Sequence, residues 1–223
     1  MEKPFLPQIQ YYPNLPTLII TPKIEASMGK IIYLNGPSCS GKTTLAKALQ
    51  NSFSEPYLHL GLDKIIGFMP QKINNWEGGA APLGFSWKPA TDPTGHPISQ
   101  IYAGPFAERI IRSLKDIASL LASQDYHLII DDVAFGAVEV EEWKTVLKNY
   151  QVLYVGVTTP LDILEQRERD RKDRYIGSAR GQYFNVHENV AYDIEINTHT
   201  QSLEENVNKI EEALANKYKT TEK

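Results

Sequence analysis

The stretch Lys30-Ile31-Ile32-Tyr33-Leu34-Asn35-Gly36-Pro37-Ser38-Cys39-Ser40-Gly41-Lys42-Thr43-Thr44 decides the architecture. Its first six residues form a short apolar run of strand character. The middle is a loop bounded by Gly36 and Gly41. Thr43, Leu45, Ala46, Ala48 and Leu49 then continue at helical spacing. Residues 36–43 fit the pattern G-x-x-x-x-G-K-[S/T] in the strand–loop–helix context that pattern requires. Glycines there let backbone N–H groups turn inward around phosphate oxygens, and the helix N-terminus adds the positive end of its dipole. Lys42 has the reach for β/γ-phosphates, and the Thr43 hydroxyl is a ligand for Mg²⁺. The expected nucleotide-binding set is Gly36, Pro37, Ser38, Cys39, Ser40, Gly41, Lys42, Thr43 and Thr44. A chance match in a chain this long is on the order of one per cent, so a purely structural turn is the weaker reading. Cys39 has no base nearby in sequence and is read as a loop residue that contributes its backbone.

Outward from this loop, strands and helices alternate. Residues 56–63, 126–131, 151–157 and 192–197 read as four further strands. Helical spacing runs from Ile101 to Ser123, with Phe106, Ile110, Ile111, Leu114, Ile117, Ala118 and Leu121 along one face. A second helix is expected over Glu139–Asn149, a third opening with Thr159 as N-cap and Pro160 at its first position, and a last one from the capping box Ser202-Leu203-Glu204-Glu205 to about Tyr218. The expected fold is α/β, a central five-stranded, mainly parallel sheet with helices on both faces. Residues 70–100 carry so many glycines and prolines that no regular element is expected, only a long functional loop whose Trp76 and Trp87 either flank a flat acceptor or anchor the loop. Residues 1–27, with five prolines, form a separate extension, and residues 28–223 the domain. That extension is either an arm lying on the domain or a contact segment for another chain, and a homo-oligomer stays open.

Ligands of open α/β sheets bind outside the carboxyl ends of the strands. Asp63 ends the second expected strand, and Asp131 with Asp132 end the third. One of these carboxylates is suited to accept a proton from an acceptor hydroxyl, and another to hold Mg²⁺. The competing role for Asp63 is helix capping, because Lys64-Ile65-Ile66 looks like a helix start. Arg167, Arg171 and Arg174 follow i, i+4, i+7 spacing in a basic segment, within a lid expected over about residues 166–186. The alternative for that segment is a solvated face laced by ion pairs. The pair His187-Glu188 lacks metal-ligand spacing. A net charge of −4 argues against generic nucleic-acid binding, and the single cysteine excludes an internal disulfide. With no ~20-residue apolar run and no secretory signal, no membrane partner is expected and the location is cytoplasmic.

The same residues resemble the chloramphenicol phosphotransferase-like kinases. The matching pieces are the GPSCSGKTTLAKALQ loop and helix, LGLDKIIGFMP, IIDDVAFG, VLYVGV and RDRKDRYIGSARGQYFNVHENVAYDIEIN, in that order from about Lys30 to Asn197. The resemblance implies a nucleoside-monophosphate-kinase-like P-loop fold and transfer of the γ-phosphate of Mg·ATP to a small-molecule hydroxyl, an antibiotic such as chloramphenicol among the acceptors. It places the catalytic base at Asp63 and the lid arginines at Arg171 and Arg174, beside Lys42. It leaves the magnesium ligands as Thr43 with Asp131 or Asp132. Two other readings remain: a toxin-like kinase of nucleotide sugars, and a nucleotide-dependent binding module that uses the N-terminal arm.

Overall fold

The strand Ile31–Asn35 (β1) is fully buried and carries its side chains alternately into two cores. The computed structural model describes residues 29–171 and 175–219, so the expected extension over residues 1–27 lies outside the described residues. Ile32 and Leu34 pack with Leu45, Ala46 and Leu49 of helix α1 (Lys42–Ser52) and with Ile210 and Leu214 of helix α7 (Leu203–Lys219). Ile31 and Tyr33 pack instead with Leu114 and Ala118 of helix α3 (Pro105–Ala122) and Val140 and Trp143 of helix α4 (Gly136–Val146). Burying such a side chain contributes roughly 1.5–3 kcal/mol, so the two faces together fix the register of β1.

β1 is the middle of a five-stranded parallel sheet. Its neighbours are β5 (His127–Asp132) and β6 (Val152–Thr158), flanked in turn by β2 (Tyr57–Gly61) and β7 (Ile194–Asn197), in the order β2-β5-β1-β6-β7. These are the five strands expected, with ends shifted by one or two residues. Helix α2 (Leu62–Ile66) follows β2 directly, and helices α5 (Leu161–Asp170) and α6 (Ser178–Tyr183) lie between β6 and β7. The capping box at Ser202 forms as expected: the Glu205 amide donates to Ser202 Oγ at 3.1 Å and the Ser202 amide to Glu205 Oε2 at 2.7 Å.

Residues 70–100 overturn one expectation. Phe85–Thr91 (β3) and Pro97–Ala103 (β4) form an antiparallel hairpin, separate from the main sheet. Its turn is Asp92-Pro93-Thr94-Gly95, with the Gly95 amide bonded to the Asp92 carbonyl and Gly95 at φ +88°. Asp, Pro and Gly are the residues a type I turn favours at those places. Pro89 and Pro97 fit because both strands of a two-stranded sheet are edges. Ile101–Ala103 consequently belongs to β4, and α3 starts later than expected, at Pro105 behind Gly104. The amides of Phe106 and Ala107 in the first turn of α3 both donate to the Leu83 carbonyl, which stitches the hairpin base to the helix. Helix α5 starts one residue later than expected. Thr159 does not cap it, and its hydroxyl faces Thr198 Oγ1 at 2.7 Å.

Asp132 shows what the second core holds. Its carboxylate, almost fully buried, accepts hydrogen bonds from Trp143 Nε1 at 2.6 Å, Tyr33 Oη at 3.0 Å and the Val133 amide at 2.8 Å. Burial pushes this carboxyl up from its ordinary value, and the donors counter part of that shift. Asp132→Ala strands two donors in the core, so stability falls by about 2–4 kcal/mol in urea unfolding. A loss below about 1 kcal/mol would remove the structural role.

Candidate active site

The loop after β1 is built to present amides. Cys39, at φ +64°, and Gly41, at φ +94°, both adopt the left-handed conformation that turns successive N–H groups to one side. Gly36 tolerates no side chain, since a Cβ would stand 2.4 Å from the Val157 carbonyl oxygen. The loop is tied down from outside by Arg167, which donates to the Cys39 carbonyl at 3.2 Å and to Thr198 through both guanidinium nitrogens at 3.0 and 2.9 Å. Thr198 Oγ1 in turn donates to the Ser40 carbonyl at 2.6 Å. Arg167, read from the sequence as a lid residue, therefore braces the loop.

Lys42 is 6% exposed and donates from Nζ to the Gly36 and Pro37 carbonyls at 2.8 and 3.0 Å. Its ammonium stands 3.9 Å from Asp131 Oδ1. Burial draws the lysine below its ordinary value, while the charges of Asp131 and Asp63 pull it back up. Asp131 is the hub on the opposite side. Oδ2 accepts the Thr43 hydroxyl at 2.7 Å and lies 3.5 Å from His59 Nε2. Burial pushes the Asp131 carboxyl up, yet the His59 ring, the Lys42 charge and the Thr43 hydroxyl outweigh it and hold it below the ordinary carboxylate value.

Asp63 sits in the first turn of α2, but the N-cap position belongs to Gly61, so the helix is not capped by this side chain. Asp63 is exposed and faces the same cleft as Lys42, Thr43 and Asp131. That cleft measures about 1170 Å³ and opens at the carboxyl ends of β1, β2 and β5. Its lining also includes the aromatic Trp76, Phe85 and Trp87 from the hairpin region and, from α3, Ile111 beside the charged Glu108, Arg112 and Lys115. Trp76 stacks on Phe85 at a centroid distance of 5.6 Å, and Trp87 stacks on Tyr175 at 5.2 Å. Arg171 also lines the cleft, just past the end of α5, whereas Arg174 lies outside the described residues.

Thr43 and Asp131 supply a hydroxyl and a carboxylate oxygen side by side, a donor set suited to a hard cation such as Mg²⁺. Among the described residues no cluster of three or more His, Cys, Asp or Glu side chains offers a full protein cage. A cation here needs further oxygens from its substrate, which is how Mg²⁺ is held in phosphoryl-transfer sites.

Sequence comparison places this site in a family. The model of the chloramphenicol phosphotransferase-like proteins matches residues 29–215. The chain belongs to that family. Chloramphenicol phosphotransferase-like proteins are kinase-like phosphotransferases, and the P-loop and strand-end acids fit that class. A provisionally named O-phosphotransferase of Mycobacterium tuberculosis strain H37Rv is 28% identical over 171 residues, 76% of this chain and 75% of its own. Among solved structures, the APS kinase CysC of Mycobacterium tuberculosis, in complex with AMPPNP and APS, aligns at a TM-score of 0.59. It has 15% identity and covers 84% of this chain and 98% of the other. A gluconokinase from Sinorhizobium meliloti aligns at 0.52 with 12% identity, covering 85% and 93%. These structural likenesses establish the P-loop kinase fold, and none of the described helices is long and apolar enough to cross a membrane.

Two contributors were missed from sequence. The hairpin that lines part of the cleft was signalled only by its Asp-Pro-Thr-Gly turn. His59 was hidden inside an apolar strand, although its spacing two residues before Gly61 puts it at the strand's carboxyl end.

Proposed function

We propose that this protein transfers the γ-phosphoryl group of Mg·ATP to a hydroxyl of a small, largely apolar acceptor. The supporting observation is that one cleft is lined both by Lys42, Thr43, Asp131 and Asp63 and by the aromatic side chains Trp76, Phe85 and Trp87. Lys42 and the loop amides offset charge on the phosphate oxygens. Thr43 and Asp131 hold Mg²⁺, which supplies charge neutralisation at the transferring group. Asp132 is left out of this set because its Oδ2 serves Tyr33 and Trp143 and its Oδ1 the Val133 amide. Asp63 accepts the acceptor's hydroxyl proton as its oxygen bonds to the γ-phosphorus and the bond to the β–γ bridging oxygen breaks, releasing ADP. Arg171, and Arg174 beyond the described residues, add positive charge from the lid. Trp76, Phe85, Trp87 and Ile111 favour an acceptor with an apolar or aromatic body.

The test is ADP release from Mg·ATP across a panel of hydroxyl acceptors that includes chloramphenicol, gluconate and nucleotide sugars. Release that depends on a neutral aromatic alcohol supports the reading. Preference for nucleotide sugars moves the protein to a different kinase specificity, and ATP binding with no acceptor-dependent turnover makes it a nucleotide-dependent binding module.

A further inference from the structure

Helix α6 touches the phosphate loop and the acceptor wall at once. At the loop, the Ser38 amide donates to Gln182 Oε1 at 2.6 Å, across 144 residues of chain. That amide belongs to the set the loop offers to phosphate, and a single N–H serves one acceptor well. A phosphate oxygen makes the stronger, charge-assisted bond, so it wins the contest with a neutral amide oxygen.

The helix that carries Gln182 is gripped elsewhere. Glu168, 2% exposed, accepts the Ser178 hydroxyl at 2.6 Å and the amides of Gly177 and Ala179, each at 2.7 Å. Arg180 Nε donates to Asp92 Oδ2 at 2.6 Å, and Asp92 also takes the amides of Thr94 and His96 in the hairpin turn. The Gly177 carbonyl accepts the Ser99 amide of β4 at 3.3 Å. A Cβ at Gly181 would stand 3.0 Å from the Ser99 carbonyl oxygen, so the helix lies directly on that strand. Just before α6, Tyr175 stacks on Trp87 with ring planes 12° apart. Packed elements shift as bodies, so a push on this six-residue helix at one end reaches the hairpin at the other.

Resting on the nucleotide-binding reading above, we propose that α6 reads whether the phosphate loop is filled. A nucleotide phosphate takes the Ser38 amide from Gln182, and the displaced helix resets the Trp87–Tyr175 wall of the acceptor cleft. Gln182 is thereby a positioning residue that couples the two substrates, each changing the other's affinity by the same factor.

Calorimetry with Mg·AMPPNP on the full chain, alongside tryptophan emission with Trp87→Phe as the blank, tests this. Gln182→Ala, which frees the Ser38 amide, binds AMPPNP about five-fold more tightly than wild type. Gln182→Glu keeps an acceptor for that amide but adds a negative charge, so it binds more weakly than wild type. Saturating AMPPNP changes the Trp87 emission of the wild type and leaves that of Gln182→Ala unaltered. Equal or weaker binding by Gln182→Ala overturns the proposal, as does wild-type Trp87 emission that ignores saturating nucleotide, which would mean that Gln182 swings alone. Wild-type protein that binds no AMPPNP overturns the nucleotide reading and this coupling together, a result distinct from normal binding with an unaltered Gln182→Ala affinity.

Discussion

Lys42→Ala reduces phosphoryl transfer by at least about 10³-fold, to the background of the assay. Removing one preorganised neutral donor from a transition-state oxyanion costs about 10²–10³ in kcat, and Lys42 brings a full charge in a buried setting. The residue is already pointed, since Nζ is fixed between the Gly36 and Pro37 carbonyls and opposite Asp131. Lys42→Arg does not restore the rate, because a planar guanidinium does not fit between carbonyls spaced for an ammonium. Coupled measurements of ADP release and urea unfolding separate lost chemistry from lost folding. A variant retaining more than about a tenth of wild-type turnover would sink the phosphate assignment for this lysine.

Asp63→Asn lowers kcat by about 10²–10⁴-fold, the range that general base catalysis supplies, while nucleotide affinity stays within about two-fold. The split follows from position. Asp63 enters the cleft from α2, after the second strand, whereas the phosphate loop grows from the first. Asparagine preserves size and one acceptor oxygen but cannot take up the proton. Single-turnover kinetics at saturating Mg·ATP, paired with calorimetry for nucleotide, read the two effects apart. Near-native kcat would return Asp63 to an orienting or structural role.

The architecture was legible where one local rule governs each segment. Runs of six to eight residues with strand character, the fifth recognised by its alternation, marked all five parallel strands, and the glycine-bounded loop with Lys42 proved to stand at the end of β1 where the cleft opens. The paired acids at the end of β5 were read as interchangeable, although period-two alternation already separates the faces they occupy. Asp131 shares a face with Ile129, on the α1 side, and Asp132 shares one with Ile130 and Trp143. The hairpin escaped because proline and glycine were weighed as breakers, although in a free two-stranded ribbon half the backbone groups need no partner. The Arg167–Cys39, Arg180–Thr94 and Gln182–Ser38 bonds join residues 128, 86 and 144 positions apart, and no sequence period encodes such pairings.

The hairpin over Phe85–Ala103 adds no strand to the parallel sheet, and its ends meet the rest of the chain at the Leu83 carbonyl and Gly104. Under the proposed function, phosphate handling and acceptor choice fall to different elements, with α6 bridging the two. On that reading, a change in the ribbon alters the acceptor while the loop after β1 stays as it is, provided the new ribbon keeps an acidic turn for Arg180.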